Sequence, residues 1–153
     1  MSGAGAPKLQ IDASGLQVAI VVTSWHTQIT DGLLAGAERA LKAAGNTEYE
    51  IWRVPGAFEL PLGAQYAIDA GADVVVALGV VIQGDTPHFD YVCSAATDGL
   101  NRVQLDSGVP VGFGLLTVNT EEQAIDRAGL PGSREDKGAE AVEAAVLMAR
   151  LRA

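Results

Sequence analysis

Apolar runs alternate along this chain with segments of helical period. Apolar runs predict β-strands at residues 16–23, 72–81 and 109–118, and alternation of apolar with polar residues predicts another strand at 48–54. The run at 72–81 is the most apolar, which is typical of a strand covered on both faces. In the segments between and after these runs, apolar residues recur at helical spacing. That spacing predicts helices at 29–44, 59–70, 89–103, 120–128 and 135–151.

The order of these elements, β-α-β-α-β-α-β-α-α, predicts a parallel sheet with helices on both faces. No repeat, linker or low-complexity segment divides residues 16–153, so we expect a single domain there. Residues 1–15 begin with small residues and no apolar run, which predicts a flexible arm and not a secretory signal. Ligands bind at the carboxyl ends of the strands in such sheets, so the loops after the four strands are the candidate site.

Composition and motifs argue against several classes of binding site. The chain has 10 Lys and Arg against 19 Asp and Glu, a net charge of −9, which argues against a nucleic-acid surface. No segment has the roughly 18 uninterrupted apolar residues of a membrane helix, so we expect no membrane association. The single cysteine, Cys93, permits no intramolecular disulfide and favours a cytoplasmic location. Neither metal-ligand spacing nor a GxGxxG motif or P-loop is present.

The most informative local stretch follows the third predicted strand. We predict Thr86 as the N-cap of the next helix and Pro87 as its first helical residue. A helix N-terminus can hold a phosphate, and His88 in its first turn can exchange protons near neutral pH. The alternative is a plain capped helix with a solvent-facing histidine.

The other candidates in these loops also have structural alternatives. Trp25 and Phe58 either stack on a flat heterocycle or belong to the core or its rim. Glu59 either interacts with the dipole of its own helix or accepts hydrogen bonds from a ligand. Arg127 either complements the C-terminus of its helix or grips a phosphate. Lys137, which follows Glu135 and Asp136, is typical of a solvated charge.

Four stretches of the chain, taken in order, resemble the signatures of the 6,7-dimethyl-8-ribityllumazine synthase family. They are VPGAFELP at 54–61, GVVIQGDTPHFDY at 79–91, LTVNTEEQA at 116–124 and DRAG at 126–129. The resemblance extends over almost all of residues 16–151. It implies a flavodoxin-like three-layer α/β sandwich with a four-stranded parallel sheet, and a transferase of riboflavin biosynthesis.

The reaction that the resemblance implies joins 5-amino-6-(D-ribitylamino)uracil to 3,4-dihydroxy-2-butanone 4-phosphate. The pyrimidine amine attacks the ketone to form an imine, phosphate is eliminated, and the ring closes with loss of water to give the lumazine. These steps require positioning and proton transfer, so we expect neither a metal nor an organic cofactor.

The resemblance also implies residue roles, with His88 as the proton-transfer residue and Phe113 reaching in from a neighbouring subunit. The implied pyrimidine and ribityl contacts are Trp25, Ala57, Phe58, Glu59, Val80, Val81, Ile82, Phe113 and Lys137. The implied contacts to the butanone phosphate are Asp85, Thr86 and Arg127. Gln83 stands where the family usually has a basic residue, which removes a positive charge near the expected phosphate site.

A site completed by Phe113 of a neighbour predicts a homo-oligomer. The connection at 130–136 is longer than in shell-forming relatives and contains Pro131, which favours a homopentamer over a 60-subunit shell. Riboflavin synthase is a candidate partner. Two other classes are a non-catalytic flavin- or lumazine-binding protein and a flavodoxin-like electron carrier. Retention of His88 and Arg127 argues against the first, and the absence of a Ser/Thr-rich loop after the first strand argues against the second.

Overall fold

The four predicted strands form a parallel sheet in a computed structural model that describes Gly5 and residues 10–152. The strands are β1 (Val18–Thr23), β2 (Glu50–Val54), β3 (Val74–Ile82) and β4 (Val111–Val118). Their order across the sheet is β2-β1-β3-β4, and every pairing is parallel. The direction of winding therefore reverses between β1 and β3, which opens a crevice at the carboxyl ends of these strands.

Helices cover both faces of the sheet, which confirms the predicted three-layer α/β fold. They are α1 (Thr27–Ala43), α2 (Leu60–Asp69), α3 (His88–Ser107), α4 (Glu121–Ile125) and α5 (Lys137–Arg152). One core lies between the sheet and α1, α4 and α5, and includes Ile20, Leu33 and Val142. The other lies under α2 and α3 and includes Val21 and Leu100. Within the described residues, no helix is long and apolar enough to cross a membrane.

Several element boundaries differ from the sequence prediction. The helix predicted at 120–128 ends at Ile125, because the chain turns away to pair Ala128 with Asp136 in an antiparallel bridge. Thr120 caps its start, since the Thr120 Oγ1 accepts the Gln123 N–H at 3.2 Å. The helix predicted from residue 59 begins one residue later, after the 3-10 turn Ala57–Glu59.

The end of the predicted N-terminal arm is packed against the domain. Ala13 is fully buried, and its N–H donates to the Ala44 carbonyl at 2.9 Å. The Arg150 Nε donates to the Asp12 carbonyl at 2.8 Å. These contacts fix the backbone, so the packed chain begins before the predicted boundary at residue 16. The rest of the predicted arm, residues 1–4 and 6–9, lies outside the described residues.

Helix α5 approaches its neighbours closely, and this packing places its first residue beside β4. A Cβ atom on Gly138 would lie 2.0 Å from the Leu33 carbonyl oxygen of α1. A Cβ atom on Gly112 of β4 would lie 2.3 Å from the Ala141 carbonyl oxygen of α5. Only glycine permits this approach of backbone to backbone. The start of α5, with Lys137, is thereby held against the edge of the sheet.

Candidate active site

A cavity of about 330 Å³ lies at the carboxyl ends of β1, β2 and β3. We term it the histidine cavity. It is lined by Trp25, His26, Gly56, Ala57, Phe58, Glu59, Val80, Val81, Ile82, His88 and Val92. It contains His88 and every predicted pyrimidine or ribityl contact except Phe113 and Lys137. The cavity occupies the crevice where β1 and β3 diverge, the place at which doubly wound sheets bind ligands.

Aromatic rings form the open side of the histidine cavity. Trp25 and Phe58 are 67% and 65% exposed, which excludes the core and leaves the rim or a stacking face as their place. Val80, at the end of β3, is 5% exposed and contributes an apolar floor. A flat heterocycle could stack on the exposed ring faces while its edge meets the polar groups of the loops.

The loop after β2 orients Glu59 toward this cavity. The Glu59 Oε1 accepts the Gly56 N–H at 2.9 Å, and the Glu59 N–H donates to the Gly56 carbonyl at 3.1 Å. Ser24 ties this loop to the one after β1, since its hydroxyl donates to the Val54 carbonyl at 2.9 Å. Glu59 therefore stabilises its own turn, and its second carboxylate oxygen remains an acceptor for ligand N–H groups.

His26 lines the cavity although sequence reasoning did not select it. It has a φ of 55° and precedes the first residue of α1, and its ring centroid lies 6.5 Å from that of Trp25. A left-handed backbone is uncommon outside glycine, although histidine tolerates it better than branched residues do. The signal that could have found His26 is its place in the loop directly after a buried strand. Gly56 and Val92 were likewise not predicted.

The start of α3 differs from the predicted capping arrangement. Pro87, with φ −66° and ψ −2°, is the cap residue, and the Asp90 N–H donates to its carbonyl at 2.9 Å. Thr86 is therefore not the N-cap, because the Pro87 carbonyl accepts the first helical hydrogen bonds, from the Asp90 and Tyr91 N–H groups, and the helix begins at His88. His88 is exposed and faces the histidine cavity. Asp85 and Thr86 are exposed in the loop before it and do not line this cavity.

A second cavity of about 330 Å³ lies beside β4 and the start of α5. We term it the arginine cavity. It is lined by Phe113, Leu115, Leu116, Thr117, Val118, Arg127, Lys137, Glu140, Ala141 and Ala144. Phe113 is 49% exposed on β4, which is an edge strand. The two cavities share no lining residue, so a single subunit divides the predicted site into two parts.

The bridge between Ala128 and Asp136 brings the two cations of the arginine cavity together. The Lys137 N–H donates to the Arg127 carbonyl at 3.0 Å, so the two residues are neighbours across this short ladder. Glu135 lies between their side chains. Its Oε2 is 3.5 Å from the Arg127 Nε, and its Oε1 is 3.2 Å from the Lys137 Nζ.

These contacts test the predicted roles of Lys137 as a solvated charge and of Arg127 as a partner of its own helix or of a phosphate. The Lys137 side chain is 14% exposed and also lies 3.2 Å from a carboxylate oxygen of Glu140, so its assignment as a solvated charge is wrong. The Arg127 Nη1 donates to the Gln123 carbonyl of α4 at 2.9 Å, as the structural alternative expects. Arg127 nevertheless lines the cavity with 34% of its side chain exposed, so one guanidinium can both complement the helix and reach a ligand.

Comparisons with known proteins identify the family of this chain. A family model described as 6,7-dimethyl-8-ribityllumazine synthase matches residues 15–153. A protein of that name from Kineococcus radiotolerans is 64% identical, over 95% of this chain and 91% of its own. A protein of the same name from Leifsonia xyli subsp. xyli is 62% identical, over 97% of this chain and 95% of its own. Another from Clavibacter michiganensis subsp. michiganensis is 62% identical, over 99% and 96%. The chain therefore belongs to the 6,7-dimethyl-8-ribityllumazine synthase family, transferases of riboflavin biosynthesis.

Proposed function

We propose that this chain condenses 5-amino-6-(D-ribitylamino)uracil with 3,4-dihydroxy-2-butanone 4-phosphate to give 6,7-dimethyl-8-ribityllumazine, the penultimate step of riboflavin biosynthesis. The observation that carries the proposal is the complementarity of the two cavities. The histidine cavity has aromatic faces and a proton-transfer group, and the arginine cavity has two cations suited to a phosphate. One cavity suits a heterocycle and the other suits a phosphate ester, and the proposed reaction joins substrates of these two kinds.

The pyrimidine substrate fits the histidine cavity. Trp25 and Phe58 offer exposed ring faces for stacking, and Glu59 offers an acceptor for the N–H groups of the ring. Backbone at Ala57 and at Val80–Ile82, where the β2 loop meets the end of β3, suits the polar ribityl chain. Roughly 300 Å³ is the lower limit of ligand cavities, so a space of this size holds one small substrate and not two.

The phosphate-bearing substrate fits the arginine cavity and the loop before α3. Arg127 and Lys137 supply the positive charge that an acidic protein must concentrate locally, and Asp85 and Thr86 contribute the backbone of the loop. With both substrates in place, the pyrimidine amine attacks the ketone carbon and water leaves as the imine forms. His88 then moves protons as phosphate departs and as the second amine closes the ring.

We further propose that the two cavities meet between subunits of a homopentamer. Phe113, Trp25 and Phe58 are large apolar side chains that a single subunit leaves open, and such surfaces mark interaction sites. If the arginine cavity of one subunit faces the histidine cavity of the next, head-to-tail contacts close into a ring with equivalent sites. The connection at 130–136 supports a pentamer because Pro131 and Gly132 in it are exposed, and extra chain at this place would obstruct contacts between pentamers.

Native mass spectrometry tests the assembly. We expect five subunits of 15.8 kDa each. A mass near sixty subunits would contradict the pentamer, and an active monomer would contradict the shared site. A cytoplasmic location is part of the proposal and is supported by the single cysteine. Association with riboflavin synthase is a further part, and co-elution of the two purified proteins tests it.

Turnover by the purified chain tests the reaction itself. We expect the lumazine product, followed by its absorbance, when both substrates are present, and no product when either is omitted. A chain that binds the pyrimidine or the lumazine without turnover would instead be the non-catalytic binding protein. Product formation that does not depend on the butanone phosphate would contradict the proposed reaction.

A further inference from the structure

Glu135 is a mostly buried carboxylate between the two cations of the arginine cavity, and sequence reasoning gave it no role. Its side chain is 12% exposed, and its two oxygens face different partners. The Oε2 lies 3.5 Å from the Arg127 Nε, and the Oε1 lies 3.2 Å from the Lys137 Nζ. Glu135 does not line the cavity itself, so it contacts the cations from behind.

The contacts of Arg127 show what this arrangement achieves. The Gln123 backbone carbonyl accepts a hydrogen bond from the Arg127 Nη1, and the Glu135 carboxylate forms an ion pair with the Nε. The guanidinium is thus held at two of its three nitrogens. An arginine or lysine side chain has many rotamers, and a ligand that must fix them binds more weakly. Tethering both cations to one carboxylate fixes them before the ligand arrives.

We propose that Glu135 is a positioning residue, which holds Arg127 and Lys137 in the geometry that binds the phosphate-bearing substrate. It acts through the two cations and does not touch the substrate. The inference rests on the proposed function, because that function identifies the ligand of the arginine cavity.

The change Glu135→Gln separates positioning from simple electrostatics. A carboxylate serves two cations because both oxygens accept, whereas an amide has one acceptor and directs its NH2 donors at the other cation. The variant therefore releases Arg127 or Lys137. It also removes a negative charge near the phosphate, which by electrostatics alone would strengthen phosphate binding. Positioning and electrostatics thus predict opposite changes in the Michaelis constant.

The experiment measures the Michaelis constant of each substrate separately. Coupling between contacting charged groups of this kind corresponds to about 2- to 100-fold, and we expect the constant for the butanone phosphate to rise by about 10-fold in Glu135→Gln. The constant for the pyrimidine should stay within about 2-fold, because that substrate binds in the other cavity. Glu122→Gln is the matched control. Glu122 is exposed on α4 and forms no ion pair within the described part of the chain, so removing its charge should change neither constant.

A double-mutant cycle adds a result that a structural role would not give. In the Arg127→Ala background, Glu135→Gln should raise the constant by less than it does in the wild type, because one of its two targets is gone. Glu135→Asp keeps the charge but shortens the side chain, so we expect an intermediate rise. An unchanged or lower constant in Glu135→Gln, or an equal rise for both substrates, would overturn the proposal. If neither variant folds, Glu135 is a structural residue and the proposal is wrong.

The outcome for the wild type distinguishes this inference from the proposed function. A wild-type protein without turnover contradicts the proposed function itself. A wild-type protein with full turnover, together with a Glu135→Gln variant of unchanged kinetics, contradicts only the role of Glu135.

Discussion

A site shared between subunits predicts that two damaged variants restore each other. His88→Ala damages the histidine cavity, and Arg127→Ala damages the arginine cavity, which shares no lining residue with it. If each active site combines the histidine cavity of one subunit with the arginine cavity of the next, a mixed oligomer contains some interfaces with neither change. Activity should therefore return when the two variants are assembled together.

The expected magnitude follows from the geometry of a closed ring. With equal amounts of the two variants and random assembly, about one quarter of the interfaces pair an intact His88 with an intact Arg127, whatever the number of subunits. His88→Ala alone should retain about 10⁻² of the activity. Arg127→Ala should retain about 10⁻¹ to 10⁻² when the butanone phosphate is well below its Michaelis constant. The mixture should thus reach about 25% of the wild-type rate.

Co-expression of the two variants with different affinity tags, followed by sequential purification, yields mixed oligomers for this assay. The matched control combines His88→Ala with Trp25→Ala. Both residues line the same cavity, so every histidine cavity of that mixture carries one change or the other. The control should show no gain over its separate variants. Absence of gain for the first pair would refute the shared site and place both residues in the site of one subunit.

Three further changes test individual residues. His88→Ala should slow turnover by about 10²-fold with little change in the melting temperature, because the side chain is exposed and its loss removes a proton-transfer group; unchanged turnover would remove His88 from this role. Arg127→Ala should raise the Michaelis constant of the butanone phosphate by about 10- to 100-fold and leave that of the pyrimidine unchanged; equal effects on both would indicate a structural role. Gly138→Ala should lower the free energy of unfolding in urea by about 1–3 kcal/mol, because the new Cβ would lie 2.0 Å from the Leu33 carbonyl oxygen. Gly84→Ala is its control and should change that free energy by about 0.5 kcal/mol or less, since no atom lies within 4 Å of the new Cβ; equal losses in both would refute the packing argument.

The sheet could be predicted from the sequence because β1, β3 and β4 are apolar runs and β2 alternates apolar with polar residues, the two patterns that are typical of strands. Val74–Leu78 of β3, for example, is fully buried, and such a run has no amphipathic alternative. Helix ends were predicted less well, because local backbone geometry sets them. Thr86 has the side chain of an N-cap, yet it is the Pro87 carbonyl that accepts the first helical hydrogen bonds. Composition alone cannot decide between two adjacent residues that both suit a helix start.

The environment of the cations depends on contacts that no local pattern records. The Lys137 side chain is only 14% exposed because the bridge from Ala128 to Asp136 brings it beside Arg127, and because Gly138 permits α5 to approach α1. Glu135 gains its two partners from the same bridge. In the sequence Glu135 and Lys137 belong to one short run of charges and Arg127 lies eight residues before Glu135, a pattern that is equally typical of a solvated surface. The loops that follow β1, β2 and β3 were easier to identify, because the end of each strand marks them.

A crystal structure of the oligomer with the lumazine product and inorganic phosphate bound would show whether each active site is shared between two subunits. We expect the heterocycle between Trp25 and Phe58 of one subunit, with His88 beside it. We expect the phosphate within hydrogen-bond distance of the Arg127 guanidinium of the adjacent subunit, with Phe113 of that subunit closing the site. Lumazine and phosphate bound to the residues of one and the same subunit, or lumazine bound away from the histidine cavity, would contradict this expectation.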